Sequence, residues 1–113
     1  MPTIHKLLPE RRTLHGHFSR DLEPVLTIQS GDTVQFTTLD SNWGMEPFVG
    51  GAYYHHRREF EGRDPKLDDG HALTGPIAIA GAQPGMTLEI QIKTIQLGAW
   101  GLLSRWRLAE CGQ

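Results

Sequence analysis

The sequence predicts an all-β domain, a sandwich or barrel of mostly antiparallel sheets, and three observations support this prediction. Thirteen glycines and seven prolines in 113 residues indicate frequent turns. Several short segments alternate apolar and polar residues with the period of two that is typical of half-buried strands. Few windows keep the 3.6-residue period of an amphipathic helix. The length favours a single domain, residues 1–113, with its own core.

The composition excludes several classes of protein. The formal net charge is −2 and the charges are mixed along the chain, so no basic stripe indicates nucleic-acid binding. No segment approaches the roughly 20 apolar residues of a membrane-spanning helix, and the first residues do not resemble a signal peptide. The single cysteine, Cys111, cannot form an internal disulfide, so the expected compartment is the cytoplasm.

Strands are predicted where alternation or β-rich composition is bounded by turn residues. The segments are residues 12–19, 25–29, 33–39, 76–80 and 86–97. The turn Ser-Gly-Asp at 30–32 separates the second and third of these strands, and we predict that they form a hairpin. Segment 86–97 has the clearest alternation, with Leu88, Ile90 and Ile92 on one face and polar side chains on the other.

Two segments do not follow the strand pattern. Residues 45–66 contain paired glycines, tyrosines and histidines and fit neither period, so a long central loop is predicted. Residues 102–113 form an apolar tail in which Leu102, Leu103, Trp106 and Ala109 have helical spacing. This tail is predicted to be a short C-terminal helix that either covers the core or binds a second subunit, and a homo-oligomer is expected.

Three histidines and two acidic residues are candidates for a functional site. His15 and His17 share one face of the first predicted strand, with Cβ atoms about 7 Å apart, a spacing compatible with a metal or a polar substrate. The alternative is two ordinary polar residues on a solvated strand. Asp40 ends a strand, where it either caps a turn or belongs to a site. Asp69 and His71, together with the neighbouring Asp68, precede the apolar strand 76–80 and are expected to remain accessible.

Three pieces of the chain, taken together, resemble the acetamidase/formamidase family. The longest is GHALTGPIAIAGAQPGMTL at residues 70–88, within DDGHALTGPIAIAGAQPGMTLEIQI at 68–92. The others are LHGHFSRDLEPVLTIQSGDTVQFTTLDSNWG at 14–44 and IQLGAWG at 95–101. The resemblance covers most of residues 14–101, and the tail 102–113 diverges from it. Members of the family are typically much longer, so it is the amino-terminal part of such a protein that this chain resembles.

The resemblance implies a hydrolase that acts on the C–N bond of small linear amides such as formamide and acetamide. It implies a site that includes His15, His17, Asp40 and His71, with Asp69 as an addition. On this interpretation a truncated chain is inactive by itself if the rest of the site lies elsewhere.

Amide hydrolysis requires an activated water, stabilisation of the oxyanion and a proton for the leaving nitrogen. His15, His17, Asp40 and His71 have the side chains of a zinc or other divalent-metal site, in which the pKa of bound water falls to about 7. A carboxylate, Asp69 or Asp68, is then the candidate general base or acid, together with His71. Without a metal, one histidine is the candidate base.

Two other classes of protein stay open. One is a non-catalytic β module that self-associates or binds a partner through its apolar tail. The other is a cupredoxin-like metal carrier, because SGDTVQF at 30–36 resembles the strand opening of those domains. The second alternative is disfavoured because neither His nor Met follows Cys111, as a blue-copper site requires.

Overall fold

The computed structural model describes residues 1–46 and 58–99. Their elements are, in order, β1 (Ile4–Leu7), a 3-10 helix (Arg11–Thr13), β2 (Leu14–His15), β3 (Leu26–Ile28), β4 (Thr33–Phe36), β5 (Leu73–Thr74) and β6 (Ile77–Ile79). Neither range contains an α-helix, which confirms the all-β prediction. No helix within these two ranges has the length and hydrophobicity needed to span a bilayer.

The strands pair over long distances in the sequence. Strands β1 and β4 are parallel, with Ile4 opposite Thr33, and β3 and β6 are parallel, with Leu26 opposite Ile77. Only β2 and β5 are antiparallel, with His15 opposite Leu73. The prediction of mostly antiparallel sheets is therefore wrong for the described pairs. Alternation determines which face of a strand is apolar, but it contains no information about the direction of the partner.

The predicted hairpin between residues 25–29 and 33–39 is also wrong, although its turn exists. The Asp32 N–H donates to the Gln29 carbonyl (3.0 Å), and Gly31 has a φ of 94° at the third position of the turn. A positive φ at that position alone defines a type II turn, which splays its flanking strands, whereas hairpins favour the mirror-image turns. β3 and β4 consequently diverge to different partners.

The clearest predicted strand, residues 86–97, pairs with no described strand. The turn before it is present, because the Met86 N–H donates to the Gln83 carbonyl (3.2 Å) and Gly85 has a φ of 93°. Beyond Met86, no backbone hydrogen bond joins this segment to residues 1–46 or 58–99. A strand is stabilised by its neighbour, and the described part of the chain does not supply one.

The buried residues lie around the antiparallel β2–β5 pair. Leu7, Leu14 and Trp43 form the buried apolar core of the described ranges, and Thr13 and Asp68 are buried beside them. The Thr13 hydroxyl donates to the Leu8 carbonyl, which satisfies its buried oxygen. Residues 47–57 of the predicted central loop and the predicted helix within residues 102–113 lie outside the described residues.

Candidate functional site

Four predicted site residues flank one backbone hydrogen bond. The Gly70 N–H donates to the Gly16 carbonyl (2.8 Å), just beyond the β2–β5 pair. His15 and His17 adjoin Gly16, and Asp69 and His71 adjoin Gly70. We call these six residues the Gly16–Gly70 junction. The junction brings together the backbone of residues 15–17 and the backbone of residues 69–71, although more than 50 residues separate them in the sequence.

Both glycines are required by the close approach of two backbones. A Cβ atom on Gly16 would overlap the Cα atom of Asp68, and one on Gly70 would lie 2.5 Å from the Gly16 carbonyl oxygen. Neither contact is relieved by rotating a flexible side chain. Glycine therefore allows the two segments to meet at this point.

The buried Asp68 carboxylate holds the backbone of the junction in place. The Asp68 side chain is 3% exposed, so the prediction that Asp68 remains accessible is wrong. One carboxylate oxygen accepts the Gly16 N–H (2.9 Å). The other oxygen accepts the Asp64 N–H (2.9 Å) and binds the Arg11 guanidinium (2.7 Å). With both oxygens engaged by protein donors, Asp68 links three segments of chain. This arrangement is that of a structural anchor. It does not favour the role of general base, for which Asp68 was a candidate from the sequence.

Arg11 sets the charge state of this anchor. It also donates to the Leu14 carbonyl (2.6 Å) and to the Gly62 carbonyl. Burial by itself would raise the pKa of Asp68. The Arg11 guanidinium and the amides of Asp64 and Gly16 outweigh burial and hold the pKa of this carboxyl below its usual value. The carboxylate is consequently ionised at neutral pH.

His15 lies partly buried in β2, and its Nδ1 atom is buried with no hydrogen-bond partner among the described residues. Burial lowers the pKa of His15, the nearby charge of His17 lowers it further, and the backbone of Gly75 and the Asp68 carboxylate oppose this shift in part. A buried polar atom without a partner is uncommon and has a cost in free energy. The neutral imidazole is thus the favoured form of His15.

His17 has a defined ring orientation. Its Nδ1 atom lies 2.9 Å from the Leu67 carbonyl oxygen. A carbonyl only accepts, so Nδ1 must carry the proton, and in the neutral ring Nε2 has an unprotonated lone pair. This is the pattern of a histidine prepared to accept a proton or to bind a metal.

His71 and Asp69 are exposed, as predicted, on a backbone that is fixed on both sides. Before His71, the Gly70 carbonyl accepts the indole N–H of Trp43 (2.9 Å). After it, the Ala72 N–H donates to the Ser41 carbonyl (3.1 Å). Their side chains are therefore accessible to a ligand while their backbone is held in place.

Asp40 lies in a turn that contacts the same segment. Its Oδ1 atom accepts the N–H groups of Asn42 (2.8 Å) and Gly44 (3.2 Å), which is the turn-capping arrangement considered from the sequence. The turn joins the junction through the bonds that Ser41 and Trp43 make with residues 70–72. A further role of Asp40 in the site stays a prediction.

Trp43 is the main structural residue that the sequence did not reveal. It is fully buried and has a positive φ of 64°, a conformation that is rare outside glycine. The centroids of its ring and of the Phe60 ring are 6.3 Å apart, and the Arg63 guanidinium lies 5.3 Å from the Trp43 ring centroid. Arg63 also donates to the Asp68 carbonyl (2.8 Å), so this cluster supports the anchor. A tryptophan in a polar turn carries no local signal of burial.

The described residues do not complete a metal site. Within residues 1–46 and 58–99, no three His, Cys, Asp or Glu side chains are grouped so as to hold an ion. His15 and His17 offer suitable nitrogen atoms, but a stable zinc site needs at least three protein ligands. A divalent metal held by His15, His17, Asp40 and His71 thus stays a prediction from the sequence.

Comparison with known proteins defines the class. The model of the acetamidase/formamidase family matches residues 3–106, so this chain belongs to that family. The match is wider than the resemblance at residues 14–101, since it includes the central loop and part of the tail. A relative from Schizosaccharomyces pombe named "Putative formamidase" is 28% identical over 93 residues, which cover 82% of this chain. The matched region is 21% of that relative's length, and no solved structure matches the chain significantly.

Proposed function

We propose that the chain functions in the hydrolysis of small linear amides, with formamide and acetamide as the first candidates. The products are ammonia and the corresponding carboxylic acid. The observation that carries the proposal is the Gly16–Gly70 junction, because it joins two histidine-containing segments that have matching counterparts in an amidase family. The chain spans about a fifth of the length of the curated relative, so the relative's named activity comes to this chain only as a proposal.

In this proposal His17 is the general base. Its Nδ1 proton is held by the Leu67 carbonyl, so Nε2 accepts a proton from the attacking water. The water oxygen attacks the amide carbonyl, and the resulting tetrahedral centre collapses with cleavage of the C–N bond. The partly buried His15, whose neutral form is favoured, supports this role because it adds no positive charge beside His17.

His71, with Asp69 two residues before it, is proposed to deliver a proton to the leaving nitrogen. Both side chains are exposed and their backbone is fixed by Trp43 and Ser41. An exposed side chain on a fixed backbone can approach a bound amide and regain a proton from solvent after each cycle.

The test is an ammonia-release assay with formamide and acetamide on the wild type and on His17→Ala and His71→Gln. Loss of a general acid or base typically lowers the rate by 10²–10⁴-fold, and we expect about 100-fold or more for each variant. The matched control is His5→Gln, because His5 binds Asp32 in the β1–β4 sheet and does not belong to the junction. Its rate should remain within about twofold of the wild type.

Two results would overturn the catalytic proposal. One is ammonia release by the wild type no faster than by the double variant His17→Ala/His71→Gln. The other is an equal loss of rate in the His5→Gln control. Metal content measured on the same samples tests the sequence-based metal prediction separately, since stoichiometric zinc that is lost in His15→Ala and His17→Ala is expected if these residues are ligands.

The proposed setting is the cytoplasm, because a single cysteine, Cys111, gives no internal disulfide framework. The proposed partner is the small amide itself, together with a second copy of the chain.

A further inference from the structure

Residues 86–97 carry an exposed apolar face without a partner among the described residues. Leu88, Ile90 and Ile92, which share this face, are 61%, 74% and 75% exposed. The backbone from Thr87 onward makes no hydrogen bond with residues 1–46 or 58–99. A β-type segment whose N–H and C=O groups are not paired by the described residues, and which has an apolar face, is a template for pairing with another strand.

The polar face of this segment shows its local geometry. The Gln91 amide lies 3.4 Å from the Glu89 carboxylate, so these side chains share one side, as residues i and i+2 of a strand do. Lys93 continues the same side in the sequence. It donates to the Thr33 hydroxyl (3.0 Å), a contact between two side chains of which Lys93 is exposed.

The segment is complementary to itself. In an antiparallel pair centred on Gln91, Glu89 of one copy lies opposite Lys93 of the other, and Lys93 lies opposite Glu89. On the opposite face, Ile90 meets Ile92 in both directions. We propose that residues 87–95 of two copies pair as antiparallel strands about a two-fold axis through Gln91.

The charges select this register over the alternatives. A parallel pair in register would place Glu89 against Glu89 and Lys93 against Lys93, and like charges directly opposite each other are destabilising. Among antiparallel registers, only the one centred on Gln91 pairs both charges with their opposites. A two-fold interface is also the commonest form of self-association, because each contact is made twice. The occupant of this face is therefore a second copy, and this inference is independent of the amidase proposal.

Charge reversal tests the register. Glu89→Lys replaces two attractive pairs with two repulsive ones, and sedimentation should show dimerisation weakened by about tenfold or more. Lys93→Glu should have a similar effect. The double variant Glu89→Lys/Lys93→Glu restores both opposite-charge pairs and should dimerise like the wild type. If Lys93→Glu acted only by removing the contact of Lys93 with Thr33, the double variant would not restore dimerisation.

Cross-linking tests the two-fold axis directly. Two residues opposite each other in an antiparallel pair have Cα atoms about 4.5–5.5 Å apart, within the range of a disulfide. In a Cys111→Ala background, Gln91→Cys should form a covalent dimer on mild oxidation. Ser30→Cys in the same background is the control, because Ser30 is exposed in a turn outside residues 87–95, and it should remain mostly monomeric.

Three results would overturn the inference. They are a wild type that sediments as a monomer at every concentration, a double charge variant no better than the single variants, and equal cross-linking from positions 30 and 91. Hydrogen exchange identifies the other occupant of this face. If the chain is a monomer and exchange of residues 87–95 slows only when the unmatched region of the Schizosaccharomyces pombe relative is added, that region is the partner instead.

Discussion

The two ends of a single sequence motif, residues 68–75 and residues 86–92, have opposite environments. Asp68 is 2% exposed, and residues 70–75 are bonded to Gly16, Thr13 and the turn at 40–44. Residues 86–92 are exposed throughout, although their alternation is the more regular of the two. Regular alternation describes a strand that is able to bury one face. Burial itself depends on a partner elsewhere in the chain or in another molecule.

The two regions also differ in how strongly their structure depends on the identity of each residue. In the first region single atoms matter, because a Cβ atom on Gly16 or Gly70 would overlap a neighbouring backbone. In the second region no described contact depends on the identity of a side chain, apart from weak polar bonds of Gln91 and Lys93. Substitutions should therefore have large effects on stability at residues 68–75 and their neighbours, and small effects at residues 86–97.

The largest expected effect is at Trp43, which contacts the first region. Trp43→Ala removes a fully buried ring and its bond to the Gly70 carbonyl, and we expect the free energy of unfolding to fall by about 3–5 kcal/mol. Urea unfolding followed by circular dichroism measures this loss. Trp43→Phe, which keeps a ring beside Phe60 but loses the N–H donor, should cost less. An equal cost for both variants would mean that packing contributes little.

Asp68→Asn should have the next largest effect. It removes the charge partner of Arg11 and alters a buried carboxylate that accepts two backbone N–H groups, and a loss of about 3 kcal/mol is expected. Asp69→Asn is the matched control, because the neighbouring carboxylate is exposed and its substitution should change stability by no more than about 0.5 kcal/mol. Equal effects at the two positions would remove Asp68 from its role as anchor.

The pH dependence of stability should reflect His15. Burial lowers its folded-state pKa below 6.5, so the unfolded chain binds more protons than the folded chain as the pH falls through 6.5. The contribution is fully present above pH 6.5 and is lost as the pH falls through the folded pKa. His15→Gln should flatten the dependence of the free energy of unfolding on pH in this window. The change in that free energy across the window should be smaller than the loss caused by Asp68→Asn. A parallel profile for wild type and variant would contradict the assignment.

Local patterns predicted the elements of the fold better than their pairing. Strands β3, β4 and β6 lie within the predicted segments because each has the composition or alternation of a strand between turn residues. Their partners are not encoded locally: β1 pairs with β4 across about 30 residues, and a type II turn separates β3 from β4. The predicted strand at 12–19 is reduced to β2, because a 3-10 helix precedes it and the junction bends it after His15.

The candidate site shows the same division. The resemblance to the family implied one site that includes His15, His17, Asp69 and His71, and their backbones do meet at the Gly16–Gly70 junction. Arg11 and Arg63 were missed because each acts over a contact that no spacing rule describes. The tilted contact between the Trp43 and Phe60 rings was missed for the same reason. Long-range anchors of this kind become visible only when the tertiary contacts are known.

The smallest expected effect is at Ile90, and it sharpens the comparison most. Ile90→Ser at low protein concentration should change the free energy of unfolding by no more than about 0.5 kcal/mol, because the side chain is 74% exposed. At high concentration the wild type should gain stability from association, since a partner that binds only the folded state stabilises it, and the variant should gain less. Urea unfolding over a hundredfold range of concentration measures both effects. A loss above about 1 kcal/mol at the lowest concentration would show that residues 86–97 pack within one chain, and the contrast between the two ends of the motif would then fail.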